Sequence, residues 1–553
     1  MLGTICFSHI GAEERKGKDL DKYSLLDCTL RDGGYVNDWE FGHNVITGIY
    51  KKLDLAGTEY IEVGFLDDRR KFDINRTIMP NTECFNALFE NIPKLNAIPV
   101  AMIDFGTCDI RNIGECSASF IDGIRVIFKK EKIREALPFC QAIKEKGYKL
   151  FIQAVSITSY SDDELTEYVD KINNISPYAF SIVDTYGLLN SKKLTHYFKL
   201  IDEQLDPQIS MGYHGHNNFQ LAFSNTIRFL ELKTERNLIA DSTVYGMGKS
   251  AGNCASELIS FHMNQYFEKD YDVSQILETL DTDIMPIYRK RYWGYSYNFF
   301  MSAMENCHPD YVKFLLDKRT LTASSIKEIL DGIPEDKKLS FDRTVAEDEY
   351  IKFQNASDNE SCQESELKEL LSEQTIILLG PGGTIASNTE YITKKKEEKH
   401  AVIIATNFVP DQLECDFVFI SNSKRYSKLA NQLNGKKLES KLIITTNVNP
   451  FDIKPNYKIN YQSLIGEMNI LIDNALILCI SMLVHMKVTK VFLAGFDGFM
   501  DENSDYFDVS FSFGGTQEDR KIKNEETILS LIELKKNIEI EFLTPSLYQE
   551  KLD

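Results

Sequence analysis

The sequence predicts an α/β protein with two parts. An N-terminal TIM (β/α)8 barrel with a helical extension is followed by a C-terminal doubly wound α/β domain. Three observations carry this prediction. Eight short apolar runs alternate with helical stretches between residues 23 and 260. Each run reaches a polar residue near its C-terminal end. A second series of apolar runs opens at residue 375, beyond a highly charged stretch.

In chain order the first series is YSLLD (23–27), YIEVGF (60–65), AIPVAMID (97–104), FIDGIRVIF (120–128), YKLFIQAV (148–155), AFSIVD (179–184), ISMGYHGH (209–216) and LIADSTV (238–244). Most are roughly 25–40 residues apart, which suits strands joined by crossover helices, because parallel neighbours cannot be linked by a tight turn. Eight such units in about 250 residues match a closed barrel. The polar endings are Asp27, Glu62, Asp104, Arg125, Gln153, Asp184, His214 and Asp241. In such barrels the active site lies on the rim they would form. Residues 261–333 keep helical periodicity, so the first domain is expected over 1–333. Residues 334–372 are polar and charged and read as a linker. Runs at 375–383, 401–406, 417–421, 441–446, 491–496 and 538–543 predict the second domain over 373–553.

Composition narrows the function classes. Among 553 residues, 83 Asp and Glu outweigh 62 Lys and Arg, for a net charge of −21. That balance argues against nucleic acid and against an anionic membrane surface. It leaves homo-oligomerisation open. No apolar stretch of about 18 residues escapes interruption by charge, so no membrane span is expected. Segment 464–486 comes closest and reads as a buried helix, because Glu467 and Asp473 interrupt it. The N-terminus lacks a basic region ahead of its apolar residues and makes a poor secretory signal. Eleven scattered cysteines without a CxxC pair suggest reduced thiols and a cytoplasmic protein.

Two rim segments carry chemistry. LLDCTLRDGG (25–34) places Arg31 and Asp32 on a glycine-rich turn after the first strand. YHGHNN (213–218) places His214 and His216 two residues apart, on one side of an extended segment. Two imidazoles and a carboxylate suit a divalent metal acting as a Lewis acid. A Schiff-base route would need a lysine inside the barrel, near the sixth strand. SIVDTYG has none, and Lys129 and Lys130 read as solvated.

LDCTLRDGG, IEVGF (61–65), VDTYG (183–187), HGHNN (214–218) and YGMGKSAGN (245–253) resemble the successive signatures of the DRE-TIM metallolyase, or HMG-CoA-lyase-like, superfamily. The resemblance spans about residues 23–265. It implies a barrel holding Mn2+ or Mg2+ that makes or breaks a carbon–carbon bond beside a carbonyl, through an enolate. It implies Asp32, His214 and His216 as metal ligands, Asn253 in or beside the metal shell, and Arg31 stabilising the enolate oxygen. Among branches, the condensing synthases read RDGEQ where this chain reads RDGGY. The HMG-CoA lyases carry a reactive cysteine near the GMG segment, whereas Cys254 here reads as a buried small residue. Pyruvate–aldehyde aldolases of the 4-hydroxy-2-oxovalerate type fit better. Their site tyrosine sits in a segment resembling WGYSYNFFMSA (293–303), which points to Tyr297 and then Tyr295. Those aldolases place a His after RDG, where this chain has Gly34 and Tyr35. Tyr35 or His43 would have to move the proton.

The reading is therefore a lyase acting on a small 2-oxo acid and an aldehyde. A Claisen-condensing acyltransferase using acyl-CoA and a non-catalytic scaffold are the alternatives. In the second domain, ILLGPGGTIASN (377–388) is a strand, a glycine turn and a helix start, a phosphate-binding pattern. The order of its runs loosely resembles the sialyltransferase-like nucleotide-sugar fold of surface-glycan enzymes. That resemblance implies Gly380, Gly382, Gly383, Asn407 and Asn422 as nucleotide contacts. It also implies a role in surface-polysaccharide sugar-acid synthesis.

Overall fold

The computed structural model describes residues 22–318, 321–355, 360–410, 413–435, 441–450, 453–465, 474–499 and 517–552. The N-terminal segment read above as a poor secretory signal lies outside them. Two compact units divide the chain, Met1–Asn306 and Cys307–Asp553.

In the first unit eight strands close a parallel barrel: β1 (Tyr23–Asp27), β2 (Tyr60–Leu66), β3 (Ile98–Asp104), β4 (Gly123–Ile127), β5 (Lys149–Ala154), β6 (Ala179–Asp184), β7 (Ser210–Gly215) and β8 (Leu238–Ser242). Each pairs with the next, and β1 pairs with both β2 and β8, which closes the cylinder. A two-residue strand, Ile78–Met79, adds to the end of β2. All eight predicted runs thus become barrel strands. They read as continuous apolar runs because helices cover their outer faces. A cluster including Leu26, Tyr60, Val100, Phe151, Ala179 and Ile239, one residue from each of six strands, is fully or nearly fully buried.

In the second unit seven parallel strands form one sheet: β9 (Ile376–Leu379), β10 (Val402–Thr406), β11 (Phe417–Ile420), β12 (Lys441–Thr445), β13 (Tyr457–Ile459), β14 (Lys490–Ala494) and β15 (Glu539–Phe542). Their order is β13-β12-β11-β10-β9-β14-β15. The chain runs outward from β9 in one direction and then returns to its other side. That makes a doubly wound sheet whose order reverses between β9 and β14. Helix Ala475–His485, from the segment expected to be a buried helix, is buried from Leu476 to Leu483.

Two boundary expectations are corrected. The units meet at residues 306 and 307, not at 333. Helices Pro309–Asp317 and Ala323–Gly332 pack on helix Arg343–Asn355, which packs on Tyr461–Ile465 of the second unit. The stretch expected as a linker is also largely helical, over Glu335–Lys338, Arg343–Asn355 and Glu360–Leu371. Its buried apolar residues include two pairs four apart: Ala346 with Tyr350 and Leu367 with Leu371. Four-residue spacing puts each pair on one helix face, so the high charge belongs to the opposite face.

Candidate metal centre

The turn after β1 builds one side of the site. Arg31 and Asp32 both donate backbone N–H groups to the Cys28 carbonyl, at 3.0 and 2.8 Å. This winds the chain back over the barrel mouth and buries both side chains. The other side comes from β7 and the segment after β8. His214 and His216 are buried with ring centroids 5.2 Å apart. Asn253 pairs across to His216 in an isolated antiparallel bridge. Glycine is needed where these parts meet. A Cβ on Gly248 would lie 2.1 Å from Asn253 Nδ2 and 2.5 Å from Asp32 Oδ1.

One ligand atom from each of Asp32, His214 and His216 lies within 4.8 Å of the others. His214 Nε2 is 3.5 Å from Asp32 Oδ2. Asn253 Nδ2 donates to Asp32 Oδ1 at 3.0 Å, and the Lys249 backbone N–H donates to the same oxygen at 2.9 Å. Asn253 Oδ1 is buried and has no hydrogen-bond partner among the described residues. A buried acceptor left without a donor costs free energy unless something else fills its lone pairs. A carboxylate, two imidazoles and an orphaned amide oxygen therefore fit a hard or borderline divalent cation.

The protonation states agree with that use. Burial would raise the pKa of Asp32, but Arg31 and His214 hold it well below the usual carboxylate range. Burial lowers His216 to about 4, against the opposing pull of Asp32, so its ring is neutral at pH 7 with a lone pair to offer. Burial would also lower Arg31, but Glu62 and Asp32 overrule it and keep the guanidinium charged. Arg31 donates from Nε to Glu62 at 2.6 Å and from Nη1 to Asp32 at 2.5 Å.

The remaining expected residues divide. Tyr35 is 41% exposed, with its ring against Trp39. Its hydroxyl nevertheless lies in the field of the site: desolvation pushes it up to about 12, with Arg31 opposing and Asp32, Asp104 and Glu62 adding to the rise. His43 is engaged elsewhere, with Nε2 at 2.9 Å from the Leu88 carbonyl. Tyr297 and Tyr295 are 54% and 50% exposed, and no hydrogen bond joins either side chain to the site among the described residues. Trp293 is the buried ring of that segment, donating to the Tyr245 carbonyl. Of the rim carboxylates, Asp184 is occupied by the Leu188 and Leu189 N–H groups, and burial raises it to about 6.

Three residues were not singled out by sequence. Trp39 donates to the Arg31 carbonyl at 2.9 Å and holds the turn. Lys249 lies 5.7 Å above the Tyr35 ring. Cys28 faces Arg125 inside the barrel, with Arg125 Nη1 3.2 Å from its sulfur. No local pattern marks Lys249 or Cys28, because their contacts join residues far apart in sequence.

In the second unit the expected nucleotide contacts already have structural partners. The Gly380 and Gly382 N–H groups donate to Ala494 and Gly495 carbonyls at 2.8 Å, and a Cβ on either glycine would sit 2.5 Å from Gly495 O. Gly383 caps helix Thr384–Lys399, and the Thr384 donors at the start of that helix are taken. Asp497 accepts from the Thr384 N–H at 2.9 Å and from its hydroxyl. Asn407 accepts from the Ser421 N–H, and Asn422 from the Lys424 and Arg425 N–H groups.

The HMGL-like family model matches residues 22–282. An oxaloacetate decarboxylase of Mycobacterium tuberculosis is 22% identical over 294 residues, covering 50% of this chain and 81% of that protein. A 4-hydroxy-2-oxovalerate aldolase of Bacillus cereus is 22% identical over 269 residues, covering 48% of this chain and 76% of that protein. Among solved structures, hydroxymethylglutaryl-CoA lyase from Pseudomonas aeruginosa aligns with 15% identity and a TM-score of 0.39, over 48% of this chain and 92% of that one.

Proposed function

With residues 22–282 forming an HMGL-like domain, we propose that this protein is a divalent-metal-dependent lyase that forms or cleaves a carbon–carbon bond of a 2-oxo acid. The observation that carries the reading is the buried set of Asp32, His214 and His216 beside the orphaned Asn253 Oδ1, with Arg31 against it. Bound there, Mn2+ or Mg2+ would supply Lewis-acid polarisation of the substrate's carbonyl and carboxylate oxygens. The chain's own residues do the rest. Arg31 is fixed on two carboxylates, while its Nη2 makes no hydrogen bond among the described residues, so a preorganised donor is left for the oxyanion of an enolate. Burial of Arg31, Asp32 and both histidines excludes water, which strengthens that interaction. The partners are a small 2-oxo acid and an aldehyde.

The test is pyruvate release from a 4-hydroxy-2-oxo acid before and after chelation. Activity lost with chelator and restored by Mn2+ or Mg2+ supports the reading. Activity that survives chelation contradicts it.

A second reading within the same class rests on Tyr35. Aldol cleavage needs a base for the substrate hydroxyl, and a phenol pushed up to about 12 stays protonated at neutral pH. Decarboxylation needs no such base. It leaves an enolate that must gain a proton, which a protonated tyrosine can give. Carbon dioxide release from oxaloacetate, measured beside pyruvate release from 4-hydroxy-2-oxovalerate, separates the two.

The pairing of this barrel with a doubly wound sheet supports a place in surface-polysaccharide sugar-acid synthesis. Eleven scattered cysteines without a CxxC pair support a cytoplasmic location.

A further inference from the structure

Beneath the candidate ligands lies a closed circuit of buried charge. Arg31 donates to Asp32 at 2.5 Å, and Asp32 faces His214 Nε2 at 3.5 Å. His214 Nδ1 is 2.9 Å from Asp241 Oδ2, and that oxygen accepts from Arg125 Nη2. Arg125 Nη1 lies 3.1 Å from Glu62 Oε2, which accepts from Arg31 Nε at 2.6 Å and so returns to the start. Six side chains from five strands or their ends form one ring, each 6% exposed or less at the side chain.

From this geometry we infer that Asp241, held in place by Arg125, is the positioning residue for His214. An ionised carboxylate can only accept, so an imidazole nitrogen 2.9 Å away must carry the hydrogen. That fixes a hydrogen on Nδ1 and makes Nε2, which faces Asp32 at 3.5 Å, the nitrogen that would bind a cation once it has released its own proton. Arg125 makes the arrangement rigid. Buried among Asp241, Glu62 and the Cys28 sulfur, its planar fork has no competing water and sets the angle of Asp241. Through Glu62 the same guanidinium is tied to Arg31. One buried arginine therefore braces both the candidate ligand and the candidate oxyanion donor. The strength of this outer partner is set by general metal chemistry, in which loss of such a carboxylate weakens metal binding about 10–100-fold.

The inference rests on the metal reading above, and the experiment separates the two. Mn2+ affinity of the full-length apo-protein is titrated for wild type, Asp32→Ala, Asp241→Asn and Arg125→Met, with circular dichroism as a check of folding. Wild type that binds no Mn2+, or Asp32→Ala that binds as wild type does, overturns the metal reading itself. If those controls behave, Asp241→Asn is expected to raise the Mn2+ dissociation constant about 10–100-fold, and Arg125→Met to raise it less. Wild-type affinity in a folded Asp241→Asn overturns the positioning role. A readout on the unaltered protein holds even if that variant fails to fold. With 15N-labelled histidine, and His214→Gln to assign the signal, His214 of the apo-protein is expected to carry a hydrogen on Nδ1. An Nε2–H tautomer contradicts the inference.

Discussion

The two units each carry a glycine-rich turn after their first strand, and the two turns do opposite things. After β1 the turn buries Arg31 and Asp32 so that they face His214, His216 and an Asn253 oxygen with no donor among the described residues. After β9 the turn closes on itself. Its backbone donors go to Ala494 and Gly495, and Asp497 takes the helix start. A turn that leaves a buried acceptor beside it, here Asn253 Oδ1, without a donor holds binding energy for something else. A turn whose donors at Gly380, Gly382 and Thr384 are engaged by the protein itself has less to offer a ligand. Local sequence looks alike in both, RDGG and GPGG, and only the long-range partners tell them apart.

The comparison can be broken most strongly at the barrel. Asp32→Ala or His216→Ala should weaken Mn2+ binding by more than the roughly 100-fold ceiling for an outer partner, with 2-oxo acid lyase activity lost in parallel, because each removes a candidate ligand. Titration calorimetry and an activity assay check this. Arg31→Met should leave a bound metal in place while lowering kcat about 100- to 1,000-fold, the effect of deleting one preorganised oxyanion donor. An unchanged kcat would remove Arg31 from the chemistry.

A smaller effect separates site carboxylates from structural ones in the same barrel. Asp27 accepts from the Thr29 N–H and the Ser256 hydroxyl, yet burial raises its pKa to about 6. Below pH 4 it is neutral whether folded or unfolded. Between about 4 and 6 the folded protein keeps a proton the unfolded chain releases, so stability falls as pH rises and the loss persists above 6, on the order of 3 kcal/mol. Asp27→Asn should therefore raise Tm relative to wild type more at pH 7.5 than at pH 4. An equal difference at both values contradicts the assignment. The smallest effect belongs to the closed turn. Asp497→Ala should cost about 1 kcal/mol, as loss of a helix cap does, in a denaturant melt of the full chain. Wild type should show no binding of a cytidine nucleotide at millimolar concentration. Tight binding at Thr384 would show that Asp497 is displaced in use.

Much of the barrel was legible in the sequence because strand position follows from local hydrophobic runs. All eight runs became strands, and Asp32, His214 and His216 came together as two strand ends predict. The helical stretch at 343–371 was not legible as packed structure. Its burial depends on only a few residues, among them Ala346, Tyr350, Leu367 and Leu371, within a highly charged composition. Arg125 and Asp241 could be read as polar strand ends, but not as partners. Their contact joins residues 116 apart and arises only when the barrel closes. Exposure of Tyr297 and the Leu88 contact of His43 depend in the same way on packing no short motif encodes.

The most direct test of the central claim is anomalous diffraction from crystals of the full chain soaked in Mn2+. One strong peak is expected at the barrel mouth, ligated by Asp32, His214 and His216 with Asn253 Oδ1 beside it. A barrel without a peak, or a peak ligated by other residues, would contradict it.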